Sequence, residues 1–229
     1  DDEVISEALK KNKPHAELFP FSLEQKVKKG AYTRKEIINI NLNQKFTMSL
    51  HEIALQGRHN TYNTMVSSIA ASLVDIRKEN IKESLSDFKN IPHRLEFVSM
   101  VNGIEFINDS KATNINATWY ALETIKGPVV WIVGGIDKGN DYSMIEKMVA
   151  DKVKAIVCLG KDNKKIIEAF EDIIEPIEEA ESAEDAVQKA YYLARPGERV
   201  LLSPACASFD LFDSYEERGD KFKMAVKSI

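Results

Sequence analysis

The chain has 229 residues, 44% of them hydrophobic and 29% charged, the composition of a soluble globular protein of one or two domains. With 31 Lys and Arg against 36 Asp and Glu, the net charge of −5 argues against general nucleic-acid binding, and no apolar run approaches the ~20 residues of a membrane helix. Two cysteines, Cys158 and Cys206, can build neither a disulfide framework nor a four-cysteine zinc site, so the expected compartment is the reducing cytosol, a cytoplasmic location.

Residues 1–56 carry weak mixed signals: a short helix over 3–11 and strands over 16–22, 31–37 and 45–50. The opening Asp1-Asp2-Glu3-Val4 has no initiator Met and no basic-then-apolar leader, so the sequence reads as a piece of a longer protein. Residues 61–76 form the first strong element, with Tyr62, Met65, Val66, Ile69, Ala70, Leu73 and Val74 as the apolar stripe of an amphipathic helix. A second helix follows over 81–88. Asn90-Ile91-Pro92 then places a domain boundary near Ile91, because the residue before a proline is pushed out of the helical region.

After Pro92 the pattern becomes a regular alternation. Strands are predicted over 95–101, 104–108, 129–133, 155–159, 173–177 and 200–202. Helices are predicted over 116–125, 143–150, 163–170, 183–194 and 215–226. Short apolar strands alternating with helices predict an α/β, Rossmann-like domain whose parallel sheet is covered on both faces. Such sheets bind ligands at the carboxyl ends of their strands, and the unusual residues of this chain fall there.

Five clusters stand out. Gly57-Arg58-His59-Asn60-Thr61-Tyr62-Asn63 opens the first long helix; a helix start attracts anions, and the Asn60 and Asn63 amides, on one face, suit a purine edge as well as a plain cap. In His93-Arg94-Leu95-Glu96, Arg94 can fork onto a phosphate or ribose, or pair with Glu96. Asp109-Ser110-Lys111-Ala112-Thr113-Asn114 is a strand-to-helix loop with more polar groups than a cap needs, although Thr113 and Asn114 also suit capping. Gly134-Gly135-Ile136-Asp137-Lys138-Gly139 lets backbone approach a ligand and projects Lys138 from a strand end; a glycine turn with a solvated lysine is the competing reading. The run from Leu201 to Asp210 ends a strand in small residues; Cys206 has no histidine nearby in sequence and reads as a buried structural thiol, while Phe212 and Phe222 read as core. No G-x-x-x-x-G-K-[ST] phosphate loop, zinc helix or EF-hand occurs.

In this order the clusters resemble the Mur ligase family. GRHNTYN is similar to the family's G-x-H-N-x-x-N and HRLE to its H-R-x-E; DSKATN, SPACASFDLF and YEERG resemble the branch that adds D-glutamate. The resemblance implies residues 1–91 as the C-terminal part of a central ATP-binding α/β domain and 92–229 as the Rossmann-like amino-acid-binding domain. It implies an ATP-dependent ligase joining D-glutamate to UDP-N-acetylmuramoyl-L-alanine through an acyl phosphate. Such an enzyme would be a cytoplasmic monomer with no nucleic-acid or membrane partner. By the same resemblance Asn60, Asn63, Arg94 and Asp109 face ATP. Thr113 and Lys138 take the D-glutamate α-carboxylate, Ser208 with Tyr215 takes its side chain, and Lys111 lies between, with Lys111 and Lys138 the catalytic lysines. The phosphate loop and the Mg2+ ligands of the family are expected before Asp1, with no metal site in this chain, so the chain alone is expected to be inactive. A non-catalytic Rossmann-type nucleotide- or metabolite-binding module is the alternative. A folate polyglutamate ligase would need a folate pocket that the sequence does not display.

Overall fold

A computed structural model describes residues 1–88 and 91–229; Asn90, the first residue of the Asn-Ile-Pro punctuation, lies outside the described residues. The chain divides into two compact units, Asp1–Asn90 and Ile91–Ile229.

The first unit opens with α1 (Glu3–Lys11), where the Asp2 side chain caps the Ile5 N–H. A four-stranded sheet follows, built in spatial order from β1 (Phe21–Ser22), β2 (Gly30–Arg34), β3 (Ile37–Asn41) and β4 (Phe46–Ser49). β1 runs parallel to β2 and the other pairs are antiparallel. The strand predicted over 16–22 shrinks to its last two residues. The strand predicted over 31–37 is instead a hairpin, because Lys35 and Glu36 turn the chain with φ of 51° and 59°. Two-residue hairpin turns of this kind are usually announced by Asn-Gly or Asp-Gly, and Lys-Glu carries no such signal.

α2 (Arg58–Leu73) and α3 (Lys78–Ser86) complete the unit. Met65 and Ile69 of α2 pack with Ala31, Ile38, Ile40, Met48 and Ile53. The expected apolar stripe of α2 is only partly the buried one: Thr61, Thr64, Ser68 and Ser72 are buried, while Val66, Leu73 and Val74 are exposed. Small side chains let the helix lie close to its neighbours. Two of the hydroxyls are absorbed by the helix itself, Thr61 Oγ1 donating to the Gly57 carbonyl and Ser72 Oγ to that of Ser68.

The second unit holds β5 (Glu96–Val101), β6 (Ile104–Asn108), α4 (Ile115–Thr124), β7 (Val129–Val133), α5 (Glu146–Lys152), β8 (Val153–Leu159), α6 (Lys164–Phe170), β9 (Ile177–Ala180), α7 (Ala183–Leu193), β10 (Arg199–Leu202) and α8 (Tyr215–Lys227). The six strands lie in the order β5-β6-β10-β7-β8-β9. All neighbours are parallel except β5 and β6. The expected parallel sheet is thus present with one antiparallel pair at its edge: Asn102-Gly103 joins β5 to β6 with φ of 47° and 79°, and so short a link can only reverse the chain. The last predicted strand but one also moves, from 173–177 to Ile177–Ala180. Ile173 and Ile174 instead turn back, both their N–H groups donating to the Phe170 carbonyl.

β7 shows why the sheet is covered twice. All five residues of Val-Val-Trp-Ile-Val are buried. Val129, Trp131 and Val133 join one core with Leu122, Val149, Ile166 and Phe170. Val130 and Ile132 join the other with Val187, Ala190, Phe222 and Val226. Each such side chain contributes about 1.5–3 kcal/mol of burial, which a two-sided strand collects along its whole length. The chain passes from β6 through α4 to β7, runs outward to β9, and returns through α7 so that β10 enters between β6 and β7. The carboxyl ends of β6, β10 and β7 therefore meet where the winding reverses, the position at which such sheets bind ligands.

Candidate functional site

The loop after β6 begins with Asp109, which is 5% exposed. Its carboxylate accepts from the Ser203 hydroxyl of the β10 loop at 2.9 Å and from the Leu95 N–H at 3.1 Å. Burial pushes its pKa up to about 7, and the Ser203 and Leu95 hydrogen bonds and the nearby Arg94 charge offset only part of that. Half-buried Arg94 and buried Asp109 are thus brought together by the approach to β5 and the end of β6. Beside them the buried His93 ring meets Asn108 Nδ2 at 3.0 Å, and Asn108 Nδ2 also donates to Glu96 Oε2 at 3.0 Å.

Further along the same loop, the Lys111 ammonium donates to the Tyr215 hydroxyl at 3.0 Å and lies 4.9 Å from the centre of its ring. Ser110 Oγ donates to the Tyr215 carbonyl at 2.7 Å. The structure therefore couples Tyr215 to the β6 loop. Asn114 is the cap of α4, receiving the Ala117 N–H at 3.0 Å. Thr113 is half-buried and its hydroxyl makes no hydrogen bond among the described residues.

The loop after β7 presents Lys138 as an exposed side chain whose ammonium has no hydrogen bond or ion pair among the described residues. The loop itself is tied down. Asp137 accepts from the Gly139 and Asn140 N–H groups, from Lys165 Nζ at 3.3 Å and from the Tyr142 hydroxyl at 2.9 Å. Burial, the largest single influence, would raise the Asp137 pKa, but those donors together hold it below the ordinary carboxylate value. The two leading glycines are spent on close packing against the end of β8 and the β10 loop: a Cβ on Gly134 would lie 2.7 Å from the Leu159 carbonyl oxygen and one on Gly135 2.2 Å from that of Ala207.

The third loop follows β10. Cys206 is fully buried, with Tyr142 Oη 3.5 Å from its sulfur, and burial raises its thiol pKa, as a structural thiol requires. Ser208 is buried and its hydroxyl makes no hydrogen bond among the described residues. Phe212 and Phe222 are core, as expected.

The residue that sequence reasoning missed is Arg218, 1% exposed on α8. Its guanidinium donates to Ser110, Gly134 and Cys206, one from each of the three loops. Burial lowers its pKa to about 10, so it keeps its charge at neutral pH. A charged residue within the mostly polar run Tyr-Glu-Glu-Arg-Gly-Asp gives no local sign of burial. The following Gly219 is the available clue, since a Cβ there would lie 2.1 Å from His93 Nδ1.

In the first unit, Asn60 and Asn63 share a face of α2, Asn63 Nδ2 lying 3.5 Å from Asn60 Oδ1. Asn60 is not the cap; its Nδ2 donates to the Gln56 carbonyl at 2.8 Å, and the cap is Gly57 at φ 102°. The start of α2 borders a cavity of about 320 Å3 lined by Leu23, Leu50, Ile53, Gly57, Arg58 and Thr61 among others. Among the described residues no group of three or more His, Cys, Asp or Glu side chains is gathered to hold a metal, and no helix is long and apolar enough to cross a membrane.

Residues 93–206, the segment that carries the β6 and β7 loops and the first four residues of the β10 loop, match the family model for the Mur ligase, glutamate ligase domain. Over the full length of the chain, 50% of residues are identical to a UDP-N-acetylmuramoylalanine–D-glutamate ligase from Christiangramia forsetii and 47% to one from Bacteroides thetaiotaomicron. The chain belongs to the Mur ligase family. It spans about half, 52%, of the length of each of those two relatives. Among solved structures, this Mur ligase chain resembles a pseudomurein peptide ligase type C from Methanothermus fervidus, with a TM-score of 0.62 at 17% identity over 89% of this chain and 42% of that one. It likewise resembles a murein peptide ligase from Psychrobacter arcticus, with a TM-score of 0.62 at 15% identity over 98% of this chain and 49% of that one. At these identities the likeness is one of fold. The matched Mur ligase segment takes in Arg94, Asp109, Lys111, Thr113 and Lys138 and stops short of Ser208, Tyr215 and Arg218.

Proposed function

We propose that this chain supplies nucleotide- and amino-acid-binding parts of an ATP-dependent ligase that joins D-glutamate to UDP-N-acetylmuramoyl-L-alanine. The observation that carries the reading is the convergence of three loops, bearing Thr113, Lys138 and Ser208, at the strand ends where the sheet reverses. The identity of half the residues to a D-glutamate ligase supports it. In this reading residues 1–91 belong to the ATP-binding domain and 92–229 to the amino-acid-binding domain.

The reaction begins when the substrate carboxylate takes the γ-phosphoryl group of ATP. The amine of D-glutamate then attacks the acyl phosphate, and phosphate leaves. Catalysis of this kind rests on placing reactants and matching developing charge. Lys138 and Thr113 hold the α-carboxylate; both have unused donors. Ser208 and the Tyr215 region hold the distal carboxylate. Lys111, steadied over the Tyr215 ring, faces the boundary between nucleotide and amino acid. Arg94 and Asp109 address the phosphates or ribose, and Asn60 and Asn63 the adenine. Mg2+ would supply further neutralisation of phosphate charge, and among the described residues no group of three or more His, Cys, Asp or Glu side chains is gathered to hold it.

Phosphate release by the full-length protein, with ATP, magnesium, UDP-N-acetylmuramoyl-L-alanine and either D- or L-glutamate, tests this. Release that depends on D-glutamate is expected. Nucleotide binding without amino-acid-dependent turnover would overturn the ligase reading in favour of a binding module.

A further inference from the structure

Arg218 is a fully buried cation whose hydrogen-bond partners among the described residues are carbonyl and hydroxyl oxygens rather than a carboxylate. Nε donates to Ser110 Oγ at 3.0 Å, and Nη2 to the Ser110 carbonyl at 2.9 Å and the Cys206 carbonyl at 3.2 Å. Nη1 donates to the Cys206 carbonyl at 3.2 Å and the Gly134 carbonyl at 3.4 Å. Ser110 follows β6, Gly134 follows β7 and Cys206 follows β10. Each anchor lies a few residues ahead of a candidate ligand-binding side chain: Lys111 and Thr113, Lys138, and Ser208. α8 is itself held close at this point, because Gly219 leaves no room for a side chain beside His93.

We infer that Arg218 is the positioning residue that sets the spacing of the three amino-acid-binding loops; the inference rests on the reading that those loops bind D-glutamate. Filling space does not account for it, since a buried charge is costly and an apolar side chain of similar size often serves a core better. A planar guanidinium, however, offers five donors in a fixed fork, so one group can hold three backbones at set distances and angles. Lysine keeps the charge but is a point donor on a flexible stem, so it cannot reproduce that geometry.

The test uses Arg218→Lys in the full-length protein. Amide hydrogen exchange is expected to rise together in residues 109–113, 134–139 and 203–208, while Val129–Val133 stays protected. In the ligase assay the KM for D-glutamate is expected to rise about ten- to a hundredfold, the scale of an ångström-level misplacement, with the KM for ATP nearly unchanged. If Arg218→Lys does not fold, Arg218→Met, which fills the same slot without a charge, must give the same exchange pattern. Unchanged exchange in the three loops, a rise spread evenly through the second unit, equal rises in both KM values, or failure of both variants to fold would each overturn the inference. Wild-type protein without D-glutamate-dependent turnover would instead sink the ligase reading, and the exchange pattern alone would then decide the role of Arg218.

Discussion

The Ser203 hydroxyl donates to Asp109 Oδ2 at 2.9 Å, so β10 holds the carboxylate that its neighbour β6 delivers to the crevice. That single bond, with the Leu95 N–H and the Arg94 charge, does not compensate for burial, and the Asp109 pKa stands at about 7 against 3.8 for the free side chain. An acid with a raised pKa binds its proton more tightly in the folded state. Its stabilising contribution is therefore complete below about 3.8 and is lost as pH rises through about 7.

Asp109→Asn, which stays neutral, should accordingly gain stability relative to wild type as pH rises from about 5 to about 8. The gain is on the order of a few kcal/mol, at ~1.4 kcal/mol per pKa unit. Both tryptophans, Trp119 and Trp131, lie in the second unit, so urea unfolding followed by tryptophan fluorescence reports on it directly. A difference between the two proteins that does not change with pH would contradict the assignment.

Two glycines of one loop should behave very differently. Gly135 has φ of 122° and no room for a Cβ beside the Ala207 carbonyl, whereas Gly139 has φ of 90° and open space around it. Gly139→Ala should cost about 1–2 kcal/mol of backbone strain, and Gly135→Ala more than about 3 kcal/mol because strain and collision combine. Tryptophan-detected denaturation of both variants checks the order. Equal losses would mean that the loop relaxes away from Ala207.

If the ligase reading holds, Lys138→Ala should raise the KM for D-glutamate more than Ser208→Ala does. A charged hydrogen bond is worth ~1.5–3 kcal/mol and a neutral one ~0.5–1.5. Neither change should move the KM for ATP. Steady-state kinetics of the full-length variants, varying each substrate in turn, tests this; a Lys138→Ala enzyme near wild type would leave the loop as no more than a turn.

On α2, Ser68 Oγ is buried and has no hydrogen-bond partner among the described residues. Ser68→Ala removes that group at little cost in volume, so stability should rise by about 1 kcal/mol. Thermal unfolding of the first unit followed by circular dichroism is the measurement, and a loss of more than that amount would show that the hydroxyl has a partner.

The second unit was the more legible part of the sequence. Strands buried on both faces read as continuous apolar runs, and β6 and β7 begin and end at their predicted residues. The β5–β6 hairpin is also written in the chain, as Asn102-Gly103, within a surrounding alternation of strands and helices that favours crossovers. The first unit was harder. Its hairpin turns on Lys35-Glu36, and α2 buries small hydroxyl residues, of which Thr61 and Ser72 bond back to the helix, so neither leaves a hydrophobic signature.

Local sequence determined the strand-end loops and their contents: where hydroxyls, lysines and glycines interrupt apolar runs, backbone and side-chain chemistry are set within a few residues. Only the tertiary structure decided which loops meet. The return of β10 between β6 and β7 is a long-range pairing, and it brings Ser203 to Asp109 across 94 residues of chain. It also gives Arg218 its role, because a guanidinium can be buried without a carboxylate only where several carbonyls already converge. Residue types record what each segment can offer, whereas the entry of one strand between two others determines which segments are within hydrogen-bonding distance.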